Sequence, residues 1–234
     1  CEEAQNAVGN SSAWLAWTAQ WEAEFRGGPL AVAVYRVGPD PAGITVSSTY
    51  TGISEDLEAN PPFTYVAPLN KRGHYGFDTE FGIQNSGLIC ASVWVYYQGQ
   101  GVCASEYAQH IEQMAPGESY LTFVPESLGD SWLGSALISA GVPLGIVVDE
   151  WGQGTLFTYE VPLLEEVSDS LASYAPLVYV GQGWGAAIHV QNLGQTGQPT
   201  FVTVNFLDEN GESVLALSDW ICAGGSGTFS PSFD

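Results

Sequence analysis

The sequence predicts an all-β protein with two Greek-key-like antiparallel β-sandwich modules, one whole and one split between the chain termini. Apolar and polar residues alternate over short runs, and alternation is the period of a strand. The 28 Gly and 13 Pro fall between those runs, where turns are required, and helical periodicity is nearly absent. An internal repeat then divides the strands between the two modules.

Alternation assigns the apolar faces of the strands near both ends of the chain. Val202, Val204 and Phe206 would face one side of a strand, while Thr203 and Asn205 face the other. The N-terminal strands show the same period. The residues predicted to lie on these assembly strands are Trp17, Trp21, Val32, Val34, Ile44, Val46, Val202, Val204 and Phe206.

The chain also matches itself, in two sets of segments. The first set pairs Ala67-Pro68-Leu69 with Ala175-Pro176-Leu177, Ile83–Gly87 with Val190–Gly194, and Ala115-Pro116-Gly117 with Ala223-Gly224-Gly225, at spacings of 107 or 108 residues. The second set pairs Trp132–Ser139 with Trp17–Phe25 and Pro143–Val148 with Pro29–Val34, which lie about 114 residues earlier.

These matches predict three segments. Residues 63–161 form a whole module, residues 1–53 contain the back half of another, and residues 174–234 contain the front half of a third. A half-sandwich can neither close its core nor pair its edge strands, so another segment must complete it. Closure within one chain would give a permuted monomer. Closure between chains would add the N-terminal strands of one subunit to the C-terminal half of the next, and this gives an open filament.

The four cysteines are read in the same way. Cys90 and Cys103 flank a Gly-rich turn on adjacent strands and are the expected local pair. Cys222 takes the place of Met114 in the half-module that needs a donor, so a Cys1–Cys222 bond between subunits would lock the joint. The alternatives are an acylated Cys1 with a buried Cys222, or two free thiols.

Composition narrows the partners and the compartment. Four Lys and Arg stand against 26 Asp and Glu, for a formal net charge of −22. Nucleic acid and anionic membrane both demand a basic face, so neither is an expected partner. No run approaches the roughly 18 apolar residues of a membrane span. Four cysteines in a chain poor in lysine predict an oxidising compartment, outside the cell or at its surface.

The first residues carry two further expectations. The chain begins at Cys1 without a Met, which suggests that a signal segment has been removed. Asn10-Ser11-Ser12 is an N-glycosylation sequon if the host modifies such sites.

We expect no enzyme and no cofactor, because no G-x-S-x-G, H-E-x-x-H, P-loop or C-x-x-C motif is present. His74, His110 and His189 are too far apart in sequence to suggest a ligand pair, and His189 is predicted to be a solvated surface residue. The acidic pairs Asp149-Glu150 and Glu165-Glu166 leave calcium binding or glycosidase carboxylates as alternatives to ordinary surface charge.

One group of segments resembles a known kind of module. Ala175–Val178, Gly183-Trp184-Gly185, Ile188–Gly194 and the turn Asp208–Gly211 look like a β-sandwich module found in tandem in secreted and envelope proteins of filamentous, often thermophilic bacteria. The resemblance implies a structural role without catalytic residues. The half-module phase shift is similar to that of pilus subunits that polymerise by donor-strand complementation.

The expected function is therefore a structural subunit of an extracellular filament, with other copies of itself as partners. The alternative is a monomeric secreted binding module that uses exposed aromatic residues to bind carbohydrate, or an accessory domain of a glycan-active enzyme. The candidate sugar-stacking residues are Trp14, Trp17, Trp21, Trp94 and Trp184.

Overall fold

A computed structural model describes residues 62–164, 186–194, 198–208 and 210–231, together with the backbone of residues 33–39 and 45–51. These residues form fourteen strands and one short 3₁₀ turn, so the predicted all-β class is confirmed. The strands are β1 (Ala33–Pro39), β2 (Thr45–Thr51), β3 (Phe63–Arg72), β4 (Phe77–Asn85), β5 (Ala91–Gly99), β6 (Tyr107–Met114), β7 (Ser119–Phe123), β8 (Trp132–Ala140), β9 (Leu144–Gly152), β10 (Thr155–Glu160), β11 (Ile188–Gln191), β12 (Thr200–Leu207), β13 (Ser213–Ile221) and β14 (Ser226–Phe229).

Strands β3 to β10 form a central sandwich of two four-stranded antiparallel sheets. One sheet has the order β3-β8-β5-β6, and the other has the order β10-β9-β4-β7. Both sheets lie within the residues predicted to form the whole module. Each sheet turns one face inward, as the period-2 pattern requires.

The core of the central sandwich lies between these two sheets. Phe81 and Ile83 of β4 and Val93, Val95 and Tyr97 of β5 are fully buried. Burying a large apolar side chain contributes about 1.5–3 kcal/mol, so the core supplies most of the driving force for folding this module. Other core residues are Phe63, Tyr65, Ile111, Met114, Val124, Trp132, Ile138, Leu144, Ile146, Val148, Val161 and Leu163.

The C-terminal strands form two separate ribbons. β11 pairs with β14, and β12 pairs with β13, both antiparallel. β11 and β14 lie against β3 and β8 of the central sandwich. Val202, Val204 and Phe206 are more buried than Thr203 and Asn205, which matches the predicted alternation along β12.

The N-terminal strands form a hairpin in which β1 pairs with β2. β2 lies beside β10 at the edge of the second sheet. Val34 belongs to β1 and Val46 belongs to β2. Other residues to which the sequence assigns a role lie outside the described residues: Cys1, Asn10, Trp14, Trp17, Trp21, Val32, Ile44, Glu165, Glu166 and Trp184.

Candidate assembly site

Asn85 anchors the end of β4 in the central sandwich and is fully buried. Its Nδ2 donates to the carbonyl oxygens of Ile89 and Met114, both at 2.9 Å, and its Oδ1 accepts from the backbone N–H of Gly87 at 2.9 Å. Its own backbone carbonyl accepts from Gly117 N at 2.8 Å. The side chain therefore satisfies the carbonyl of Met114, which would otherwise be buried without a donor, and also binds the part-buried carbonyl of Ile89.

Asn192 does the same at the end of β11. Its Nδ2 donates to the carbonyl oxygens of Ile221 at 2.8 Å and Gln198 at 3.3 Å, and its Oδ1 accepts from Gly194 N at 2.9 Å. Its backbone carbonyl accepts from Gly224 N at 2.7 Å. The turn that carries the predicted repeat in sequence thus also repeats in hydrogen bonding, 107 residues further on.

One strand register repeats as well. In the central sandwich, Phe81 of β4 lies opposite Thr122 of β7. In the C-terminal half, Ile188 of β11 lies opposite Phe229 of β14, and both residues are 107 positions further along. The β11–β14 ribbon therefore copies the β4–β7 ribbon, and by position in the chain β12–β13 corresponds to β5–β6.

The geometry corrects one predicted match by a single residue. Gly117 and Gly224 hold the same turn position, with φ of 75° and 77°, a conformation that favours glycine. The sequence match instead set Gly117 against Gly225. Cys222 therefore takes the place of Ala115 and not of Met114, because the spacing is 107 residues here too.

The two C-terminal ribbons lack neighbours that their counterparts possess. β4 pairs with β9 along its second edge, and β5 pairs with β8. Among the described residues, no strand pairs with the second edge of β11 or with that of β12. Unpaired strand edges of this kind are templates for strand addition.

The interior of the C-terminal half is also less buried. Four core residues of β4 and β5 have no exposed surface: Phe81, Ile83, Val95 and Tyr97. Their equivalents 107 residues later are only half-buried: Ile188, Val190, Val202 and Val204. We define the second edges of β11 and β12, together with these four side chains, as the acceptor surface.

A disulfide joins the C-terminal strands β11 to β14, here called the acceptor half, to the central sandwich. Cys103, in the β5–β6 loop, is bonded to Cys222, which lies 119 positions later in sequence, and their Cα atoms are 4.9 Å apart. The predicted Cys90–Cys103 pair is therefore wrong, and so is a Cys1–Cys222 bond. Cys90 is also disulfide-bonded. The local pairing fails because the C-terminal half packs on the central sandwich and brings Cys222 to Cys103.

Polar contacts surround this disulfide. Gln98 Nε2 donates to the carbonyl oxygen of Ala223 at 3.2 Å. The carbonyl oxygen of Gly224 accepts from Ser135 Oγ at 2.9 Å and from Gln191 Nε2 at 3.1 Å. Ser135 is fully buried and Gln98 is nearly so, which makes this a tight junction between the two halves.

The structure also corrects the prediction for His189. The side chain is half-buried, and its Nδ1 lies 2.9 Å from Thr228 Oγ1. Burial lowers the pKa of His189 to about 4, and the positive charge of Lys71 and the proximity of His74 act in the same direction. The prediction of a solvated surface residue is therefore wrong, because β11 packs beside β3 of the central sandwich and partly covers the ring.

The acidic pair on β9 does not form a joint site. Adjacent strand residues point to opposite faces, so Glu150 lies inside the sandwich and Asp149 lies on its outer face. Lys71 Nζ meets Glu150 Oε2 at 2.7 Å, and Asp149 Oδ1 accepts from Thr158 Oγ1. Burial raises the pKa of Glu150, while the hydrogen bond and charge of Lys71 oppose that shift. Among the described residues, no group of three or more His, Cys, Asp and Glu could hold a metal ion.

Aromatic side chains mark the outer faces of β5–β6 and β12–β13. Trp94 stacks on His110 with ring centroids 4.1 Å apart, and Phe201 contacts Trp220 at 5.2 Å. Each pair lies directly across its ribbon, and Phe201 is 107 residues after Trp94. Trp94 is 40% exposed and Trp220 is 62% exposed. Of these four, the sequence analysis selected only Trp94; the outward positions of the alternating pattern could have identified the others.

Comparisons with known proteins add little. Nothing matched when the chain was compared with protein-family models and with curated proteins. Among solved structures, the crystal structure of Thermotoga maritima 1070 aligns with a TM-score of 0.38 and 14% identity, over 44% of this chain and 96% of that one. A likeness of this size identifies neither a shared fold nor a function. No helix among the described residues is long and apolar enough to cross a membrane.

Proposed function

We propose that this protein is a non-enzymatic structural subunit of an extracellular, pilus-like filament. The N-terminal segment of one subunit would complete the acceptor surface of the next. Repetition of this head-to-tail contact gives an open filament and not a closed ring. One observation carries the proposal: β11 and β12 reproduce β4 and β5, yet among the described strands they have no counterparts of β9 and β8. The sequence repeat places those counterparts in the N-terminal segment. A kinship with tandem β-sandwich modules of bacterial envelopes is part of the same proposal.

The positions of the two half-modules support closure between chains. β2 lies beside β10, at the edge of one sheet, whereas β11 and β14 lie against β3 and β8 of the other. Closure within the chain would require β1 to pair with β11, but β1 pairs with β2 alone among the described strands. The Cys103–Cys222 disulfide fixes the acceptor half on its own central sandwich. The disulfide would thus hold the edge that no described strand pairs with in a fixed position, ready for a donor from another chain.

The energetics favour such an addition. Ile188, Val190, Val202 and Val204 are half-buried and would lose their remaining exposed surface beneath donor strands. Completing the burial of such side chains contributes up to about 1.5–3 kcal/mol each, before the new backbone hydrogen bonds are counted. Because Cys222 is bonded within its own chain, the joint between subunits would be non-covalent. Filaments of this protein should therefore dissociate into single chains in denaturant even when no reducing agent is present.

Deletion of residues 1–53 tests the proposal. The truncated protein keeps its acceptor surface but has no donor, so it should form no polymer by light scattering or electron microscopy. Its central sandwich should stay folded by circular dichroism, because β3 to β10 form both complete sheets. Added to full-length protein, it should shorten filaments by capping one end. Full-length protein that stays strictly monomeric, or a truncated protein that still polymerises, would refute the proposal.

The two cross-strand aromatic pairs favour a second candidate function, a carbohydrate-binding module. Trp94 with His110 and Phe201 with Trp220 would offer two similar ring surfaces to a neutral sugar polymer. Replacing both Trp94 and Trp220 with Ala should then abolish retention on an insoluble neutral polysaccharide, while assembly is unchanged. Equal retention of parent and variant would exclude this candidate.

A further inference from the structure

The N-terminal hairpin reproduces a hairpin of the central sandwich. In β9–β10, Val148 lies opposite Tyr159. In β1–β2, Val34 lies opposite Tyr50. Val34 is the residue that matches Val148 in the second set of repeats, 114 positions earlier. Both hairpins thus set a Val opposite a Tyr, with Tyr50 lying 109 positions before Tyr159.

The central sandwich shows how a hairpin of this kind adds to a β4-like strand. β9 runs antiparallel to β4, with Val148 opposite Phe81 and Val147 opposite Gly82. The same register continues to Gly152, which lies opposite Phe77. A Cβ atom at Gly152 would lie 2.1 Å from the carbonyl oxygen of Gly76, so glycine is required there. On β1, Gly38 lies 114 positions before Gly152, so it would allow the same close approach to the backbone of a neighbouring strand.

We infer that the β1–β2 hairpin of a second copy of this chain pairs with β11 in one defined register. Val34 of the donor would lie opposite Ile188 of the acceptor, and Ala33 of the donor opposite His189. These pairs follow when the β4–β9 register is carried over at both repeat spacings. The inference rests on the proposed function, since it names the partner strand and the register of the acceptor surface.

The register is specified by what each face must bury. Val34 would take the position opposite Ile188 that the buried Val148 has opposite Phe81. Ala33 would lie on the outer face beside His189, where the central sandwich has Val147 beside Gly82. A slip by one residue would exchange these faces and turn Val34 away from the core. A slip by two residues would keep the faces but move Gly38 away from the close backbone approach.

Paired cysteine variants on separate chains test the register. Val34→Cys protein mixed with Ile188→Cys protein should form a disulfide-linked dimer under mild oxidation, as should Ala33→Cys with His189→Cys. Two neighbouring pairs are used because antiparallel pairs alternate between closer and wider side-chain spacing. Because each cysteine sits on a different chain, any such bond joins two subunits. Mass spectrometry of the linked peptides identifies the residues.

Val34→Cys mixed with Val190→Cys is the matched control, since these positions would be diagonal neighbours. Diagonal Cα atoms lie about 7–8 Å apart, beyond the usual reach of a disulfide, so this mixture should link at least about five-fold more slowly. Faster linkage of the control than of both predicted pairs, in protein that still polymerises, would overturn the register but leave strand addition standing. Parent protein that does not polymerise at all would overturn the proposed function, and the register with it.

Discussion

Asn85 and Asn192 occupy equivalent positions at the ends of β4 and β11 and make equivalent hydrogen bonds to the turns around them. Each donates through Nδ2 to two backbone carbonyls and accepts one turn N–H through Oδ1. One environment is complete, with β9 paired alongside, and the other has no such neighbour among the described strands. A matched pair of residues therefore allows the same turn to be compared in two different surroundings inside one chain.

Asn192→Ala should destabilise the C-terminal half selectively. It removes the donors to the buried carbonyl of Ile221 and the part-buried carbonyl of Gln198, and the acceptor for Gly194 N–H, at a cost of about 2–4 kcal/mol. Amide hydrogen exchange should accelerate in β12 and β13 while β4 and β5 stay protected. Asn192→Asp is the control for the donor, because it keeps an acceptor for Gly194 N–H and should be no more stable than the alanine variant. Faster exchange spread evenly over both halves would contradict this assignment.

Removal of the Cys103–Cys222 bond should release the acceptor half from the central sandwich. For a closed loop of about 100 residues, loss of a disulfide costs about 2–5 kcal/mol. Cys222→Ser should lower the melting temperature of the C-terminal half and expose it to proteases, and Cys103→Ser should do the same. The double variant should be no less stable than either single variant, because both remove one bond. Losses that add up would show that the two cysteines act separately.

The repeat could be predicted from the sequence because its signals are local. Turns such as the one around Asn192 need particular residues at fixed spacings, and the apolar alternation of β12 survives in a half-module. These features gave the all-β class and the correspondence between β11 and β4. The one-residue error near Cys222 arose because two adjacent glycines, Gly224 and Gly225, both suit a turn, and only the backbone φ identifies the equivalent one.

The contacts between the two halves could not be predicted in this way. Gln98, Ser135 and Gln191 bond across the junction, to Ala223, Gly224 and Ala136, and neither the strand alternation nor the repeat indicates these partners. The same packing determines the disulfide partner of Cys103 and covers His189. The disulfide pairing and the burial of His189 both depend on how the C-terminal strands pack on the central sandwich, and the period of a strand carries no information on that packing. The turns at the ends of the strands were therefore easier to predict than the contacts between the two halves.

Removing one partner of the buried ion pair between Lys71 and Glu150 should lower the free energy of unfolding more than replacing both partners with apolar residues. Glu150 has a side chain only 3% exposed, and its Oε1 has no hydrogen-bond partner. Lys71→Met would leave a buried carboxylate without its counter-charge, which costs about 3–5 kcal/mol. Lys71→Met combined with Glu150→Leu removes both charges and should recover most of that loss in urea unfolding. A double variant as unstable as the single one would show that Lys71 stabilises by packing, including its contact 5.1 Å above the Phe77 ring.

The low pKa of His189 should make the junction between the halves sensitive to acid. Folding holds this pKa at about 4, below the ordinary value of 6.5, because the ring is buried near Lys71 and His74. Between pH 6.5 and 4 the imidazole is protonated in the unfolded chain but neutral in the folded chain. The free energy of unfolding therefore falls as the pH drops toward 4 and then levels off. Between pH 6.5 and 5 the loss should be about 1–2 kcal/mol, allowing for partial exposure. The His189→Asn variant is the control for this prediction. Its side chain keeps a partner for Thr228 but cannot titrate, so the unfolding free energy of the variant should change less over this pH range. The carboxylates titrate in both proteins, and the difference between the two curves isolates His189. Parallel curves for parent and variant would mean that the imidazole titrates alike in the folded and unfolded chains, and hence that the outer face of β11 is open to water.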